Sequence, residues 1–165
     1  MEVVSFIISF LLHLLVAAPV CLVLHELGHA AMILALTRQR AVFRFGGQGK
    51  GHELRLGRIT AVIHRDIHAL FFCSYRLQNR NALTWNQDLW ITLSGPLSSL
   101  LFTLLFAAIW WRTATSDPWS GLTWINLFNF IIAGVPGYYP KVFAARGGIA
   151  NDGLQIVRLV RSRAG

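Results

Sequence analysis

From Val3 to Leu36 the chain is apolar at nearly every position, broken by His13 and by the group His25, Glu26 and His29. Roughly 20 helical residues cross the hydrocarbon core of a bilayer, so this run predicts a first span over about 3–36, too long to stand upright. Pro19 lacks a backbone donor and crowds the preceding turn, which predicts a tilted or bent helix. Beyond it the pattern changes to Gly, Arg and short alternating runs such as "AVFRF" and "HELRLGRITAVI". Leu54, Leu56, Ile59, Ala61 and Ile63 in those runs suggest half-buried strands. A small β-hairpin region at the membrane surface is predicted over about 40–75. Two more apolar runs predict spans over about 89–111 and 119–139, with Trp90, Trp110, Trp111, Trp119, Tyr138 and Tyr139 near the interfaces, where aromatic belts sit. The tail sets Leu154, Val157, Leu159 and Val160 against Arg158, Arg161 and Arg163, the pattern of an amphipathic interfacial helix over about 152–163. The fold class that follows is an all-α membrane protein of about three transmembrane helices, with the β-hairpin region between the first and second, in one domain covering 1–165.

Composition agrees with that class. Of 165 residues, 55% are hydrophobic and 13% charged, too apolar for an ordinary soluble domain. The net charge of +8 is unevenly placed, with basic residues grouped from Arg38 to Arg80 and from Lys141 to Arg163 and only Arg112 elsewhere. Basic loops stay in the cytoplasm, so the large loop and the C-terminal tail are expected there, with the N-terminus outside. Contact with anionic lipid headgroups accounts for the charge without a nucleic-acid partner. "MEVVSF" lacks the basic start of a signal peptide, so the first span is expected to stay on the mature protein. Cys21, in the apolar helix, and Cys73, in a basic loop, have no metal or redox pair spacing. In "FGGQGKG" the Lys precedes Gly rather than Ser or Thr, so a turn between strands is expected there rather than a phosphate loop.

Polar groups inside an apolar span are functional by default, because a carboxylate at a helix centre in the bilayer costs on the order of 2.5–3.5 kcal/mol. Residues four apart share a helix face, so His25 and His29 can turn a ring nitrogen each toward one ion, with Glu26 beside that face. Zinc in a hydrolytic site takes three protein ligands and keeps a fourth position for water. Glu26 is placed to accept a proton from that water and pass it to a leaving amine, and Gly28 keeps the face open. "HELRL" at His52 repeats the first letters but has Leu56 in fifth place, so it supplies no second ligand. For the third ligand, Glu2 and Asp117 are expected on the outer side. Asp152, beyond the third span, is the favoured candidate and Asp66 a second one.

Together, "HELGH" in the first helix, "SGPLSSLL" opening the second span, "NLFNF" in the third and then "NDG" resemble the core of the site-2 protease family of intramembrane zinc metalloproteases. The resemblance covers most of the chain and implies His25, His29 and Asp152 as zinc ligands, Glu26 as general base and Asn129 as oxyanion donor, with Asn126 one turn away as the fallback. It implies a membrane-embedded or membrane-surface peptide as substrate, one that unwinds before cutting, and a stripped core without a PDZ-like domain, open to a regulatory membrane partner. The connection from Asn129 to Asp152 is longer than in that family, Asn151 stands where Leu or Pro is common, and Ser99 stands in the place of an Asn.

Other readings stand beside these. Asp152 also suits the N-cap of the C-terminal helix, and Asn126 and Asn129 suit bonds across helices. His13, 12 residues before His25, reads as a packing or interfacial histidine. His64 and His68, with Asp66 between them, follow a strand-like run, and Cys21 reads as a small buried hydrophobe. The alternative function is a non-catalytic metal-binding membrane scaffold or escort protein. A metal transporter fits less well, since Glu26 has no part in that role.

Overall fold

The structure, a computed structural model, describes residues 2–46, 51–64, 73–113, 119–139 and 149–164. Its first rod is α1 (Glu2–Leu12), a π-helical turn (His13–Ala17) and α2 (Ala18–Leu36). The N–H of Ala18 bonds the carbonyl of His13, five residues back. Pro19 follows in the first turn of α2, and because the helix is continuous its missing N–H leaves a carbonyl of the preceding turn without that bond. Its ring crowds the carbonyl four residues earlier, and the widened turn lies there. The irregularity expected at Pro19 thus takes the form of a π-turn ahead of it.

α3 (Trp85–Thr113) runs beside α2, and α4 (Trp119–Gly134) returns along α3. Small residues let α2 and α3 approach closely, as in membrane helix pairs. A Cβ on Gly28 would strike the carbonyl oxygen of Ser94, and Ser98 Oγ donates to Leu24 O at 2.7 Å. Gly28 therefore belongs to the helix seam rather than holding a face open. Phe10–Leu36 and Trp85–Thr113 are long and apolar enough to cross a membrane. Leu11, Val16, Leu27, Leu101, Leu104 and Phe128 are exposed on the helices' outer faces. α4 has 16 residues and stops short of the expected 139, because Pro136 has no N–H to continue the helix and disfavours helical backbone at Val135.

The fold class expected from the pattern is corrected here: the chain is mixed, with helices and a four-stranded sheet rather than a helical bundle with a hairpin. The strands are β1 (Ala41–Phe45), β2 (His52–Leu56), β3 (Ile59–Ile63) and β4 (Cys73–Leu77), in the order β2-β3-β1-β4. β2 and β3 do form an antiparallel hairpin, turning at Gly57 with φ +59°. β1, however, pairs parallel with β3, Phe43 opposite Ala61, and antiparallel with β4, Phe43 opposite Tyr75. Cys73 is thus a buried strand residue and not part of a basic loop. Hydrophobic burial explains the larger sheet. Ala41, Phe43 and Cys73 close a core with Ala30 and Ile33 of α2 and Ile91 of α3, which a lone hairpin could not cover. Arg58, just past the hairpin turn, donates to the carbonyls of Thr37 at 2.6 Å and Leu34 at 2.8 Å, satisfying the open end of α2.

α5 (Asp152–Ala164) packs on α3 and α4. Trp85 Nε1 donates to Leu159 O at 2.8 Å, and the Arg163 guanidinium lies 4.5 Å from the centre of the Trp85 ring. Arg80 ties this end together, donating to Asp88 Oδ1 at 2.9 Å, Gln155 Oε1 at 2.8 Å and Thr92 Oγ1 at 3.2 Å.

Candidate metal centre

His25 and His29 project from one face of α2 toward α3 and the start of α5, and all of this is buried. Asp152 Oδ2 lies 3.1 Å from His25 Nε2 and 3.4 Å from His29 Nε2. A tetrahedral ion with bonds of about 2.0–2.2 Å sets neighbouring donors about 3.3–3.6 Å apart; the His29–Asp152 distance falls in that range and the His25–Asp152 distance is slightly shorter. The three residues form a group that could hold a metal ion, with the ligand atoms all within 4.8 Å of one another, and the one such group among the described residues.

Both rings are oriented from behind. His29 Nδ1 donates to the carbonyl of Ile91 at 2.6 Å. A carbonyl only accepts, so the neutral ring leaves the Nε2 lone pair facing Asp152. His25 Nδ1 lies 2.9 Å from Ser99 Oγ, a hydroxyl able to accept a hydrogen bond from Nδ1–H. Tyr75 of β4 stacks on His29 with ring centres 4.2 Å apart. Space for the imidazoles comes from Gly95 of α3, where a Cβ would strike His29 Nε2 and lie 2.7 Å from His25 Nε2. The "SGPLSSLL" stretch is thereby explained as backing for the site.

Asp152 is not the cap of α5. Asn151 is: its Oδ1 accepts the N–H of Leu154 at 3.0 Å, which frees the Asp152 carboxylate to turn inward.

Beside this group lies a cavity of about 440 Å³ whose wall includes His25, Glu26, Cys73, Asn129, Tyr139 and His13. Glu26 Oε2 is buried with no hydrogen-bond partner among the described residues, an arrangement that costs about 1–3 kcal/mol or more for a charged group. Asn129 faces the same cavity. Asn126 is fully buried elsewhere, its Nδ2 donating to Cys21 Sγ and Leu122 O, both at 2.9 Å. Burial, with the charge of Glu26, keeps the Cys73 thiol protonated by raising its pKa.

Two features escape the sequence pattern. His13, 12 residues before His25, shares the cavity because the cavity runs along the helix rather than around one point. Cys73, Tyr75 and Ser99 reach the site by tertiary contact alone; the period-two alternation of Cys73, Tyr75 and Leu77 is the one local sign of β4. His64 is buried at the end of β3, apart from the group, and His52 is exposed on β2. Asp66, His68 and Asp117 lie outside the described residues. No protein-family model matches the chain, and no curated protein matches it. What the site can do is set by its own donors.

Proposed function

We propose that the chain is a zinc-dependent intramembrane endopeptidase, cutting a membrane-embedded or membrane-surface peptide near the cytoplasmic leaflet, with its N-terminus outside. The observation that carries this reading is the convergence of His25 Nε2, His29 Nε2 and Asp152 Oδ2 beside a buried carboxylate oxygen of Glu26 that has no partner among the described residues. Two nitrogens and one carboxylate oxygen are the donor set of hydrolytic zinc sites, and the two helices long enough to span a bilayer carry most of the site. When bound, the ion supplies Lewis acidity toward water and toward a peptide carbonyl.

The side chains supply the rest. Glu26 Oε2 takes the proton of the attacking water and delivers it to the departing amine. The Asn129 amide, in the same cavity, donates to the carbonyl oxygen as charge grows there. Leu14, Leu22, Ile125, Phe128 and Ile132 line the cavity and keep bulk water from the reacting bond. Among the described residues β4 pairs only with β1 and lies at the sheet's edge, and it carries both Tyr75 over His29 and Cys73 in the cavity wall. An unwound peptide added along that edge would lie beside Glu26, which is recognition by strand addition.

Glu26→Gln tests the reading. Zinc content should stay at one per chain while cleavage of co-expressed membrane peptides is lost. Full biological effect in that variant, with zinc bound, would point instead to a metal-holding scaffold; absence of zinc from the native chain would end both readings.

A further inference from the structure

The side chain of Asn151 makes four hydrogen bonds and is buried. Its Oδ1 accepts the N–H of Leu154 at 3.0 Å, in the first turn of α5, and the N–H of Gly137 at 2.9 Å. Its Nδ2 donates to the carbonyls of Ile132 and Val135, both at 2.6 Å, at the end of α4. One amide thus caps the C-terminus of one helix and the N-terminus of the next, serving orphan groups at both. Its own main chain joins in, with Asn151 N donating to Gly137 O at 3.0 Å. The two helix ends also meet backbone to backbone, for a Cβ on Gly153 would strike the carbonyl oxygen of Gly134.

We propose that Asn151 is the positioning residue of the third metal donor, holding the Asp152 carboxylate against His25 and His29 by clasping α5 to the end of α4. Asp152 is the next residue along the chain, so its Cα is fixed by this clasp. α4 also carries Asn129, three residues before Ile132, so the clasp joins the carboxylate donor to the helix bearing the amide in the cavity. Only an amide supplies two acceptor lone pairs and two donors at this point. A Leu here would leave two N–H groups and two carbonyls unmatched, and an Asp would set its charge against two carbonyl oxygens. The Asn that departs from the resembling family's pattern is, in this chain, the hinge pin of the site.

The inference rests on Asp152 being a ligand, and a double-mutant cycle separates the two claims. Cobalt(II) is titrated into the full chain in detergent, reading affinity and the visible ligand-field spectrum, for the native protein, Asn151→Asp, Asn151→Ala, Asp152→Asn and the double variant N151A/D152N. Asn151→Asp keeps acceptors for the N–H groups of Leu154 and Gly137 and sets a charged oxygen where the two donors to α4 were, so it breaks the clasp in a chain that keeps its α5 cap. Both Asn151 variants should weaken cobalt binding by about 10–100-fold, the usual effect of losing a group that orients a ligand, and alter the spectrum toward that of Asp152→Asn. In the Asp152→Asn background, Asn151→Ala should weaken binding no further. Native affinity and spectrum in Asn151→Asp, or equal losses in both backgrounds, would overturn the positioning role while leaving the ligand intact. Native affinity in Asp152→Asn would overturn the ligand reading and the inference with it.

Discussion

Ser99 Oγ lies 2.9 Å from His25 Nδ1, on the far side of the ring from Asp152. The hydroxyl sits one helical turn past Gly95, so a single stretch of α3 both makes room for the imidazoles and orients one of them. Ser99→Ala should lower zinc affinity by about 10–100-fold with little change in fold, measured by competition with a chromophoric chelator. Affinity equal to native would mean that the Ser99 contact is packing alone.

Gly95 predicts a sharper effect. A methyl group there meets Nε2 of both rings, and neither can retreat without losing Ile91 O or Ser99 Oγ. Gly95→Ala should bring zinc stoichiometry close to zero under conditions that load the native chain, read by metal analysis of purified protein. Gly57→Ala is the contrast, because a Cβ at that exposed turn meets nothing. Its positive φ costs about 1 kcal/mol and should leave zinc at one per chain.

Arg58 closes the end of α2 from the sheet side. Replacing it by Met keeps much of the stem and removes the charge and both bonds, at a cost of about 0.3–1 kcal/mol for a group at an exposed helix C-terminus. A small fall in Tm with metal binding unchanged is expected, and Arg58→Lys should recover part of it. A loss of metal would mean that the sheet governs the site more directly than its contacts indicate.

The cavity itself is testable through Ala18, which lines it at the start of α2. Ala18→Phe places a ring in that space, well along the helix from His25. Cleavage should fall by about tenfold or more with zinc unaffected, since about 1.4 kcal/mol of lost transition-state binding is tenfold in rate. Undiminished cleavage would show that the peptide reaches Glu26 from another side.

Much of this site is readable along the chain because its first donors are close in sequence. His25, Glu26 and His29 need only helical periodicity to share a face, and their cost in an apolar run makes them candidates for function. Asp152 lies 127 residues from His25 and is reached only through topology and the family resemblance. Ser99, Tyr75 and the Ile91 carbonyl are invisible locally, since nothing in their own neighbourhoods names the imidazoles they support. The sheet was half legible for a similar reason. Alternation marks β2 and β3 and a turn joins them, whereas the parallel pairing of β1 with β3, and β4 across from β1, depend on contacts between distant segments. Asn151 stands out in the sequence only as a departure from the Leu or Pro of the resembled family, and its second cap, on α4, exists only in three dimensions.

The span of 127 residues between the first and last donors also bears on biosynthesis. In a chain that crosses a membrane as proposed above, α2 would enter the bilayer with two imidazoles and a carboxylate and without the aspartate that completes the group. A nascent chain therefore carries no complete donor group until α5 has left the ribosome and docked. On the proposed function, cutting would then wait for α5, and membrane proteins inserting alongside would meet no working protease.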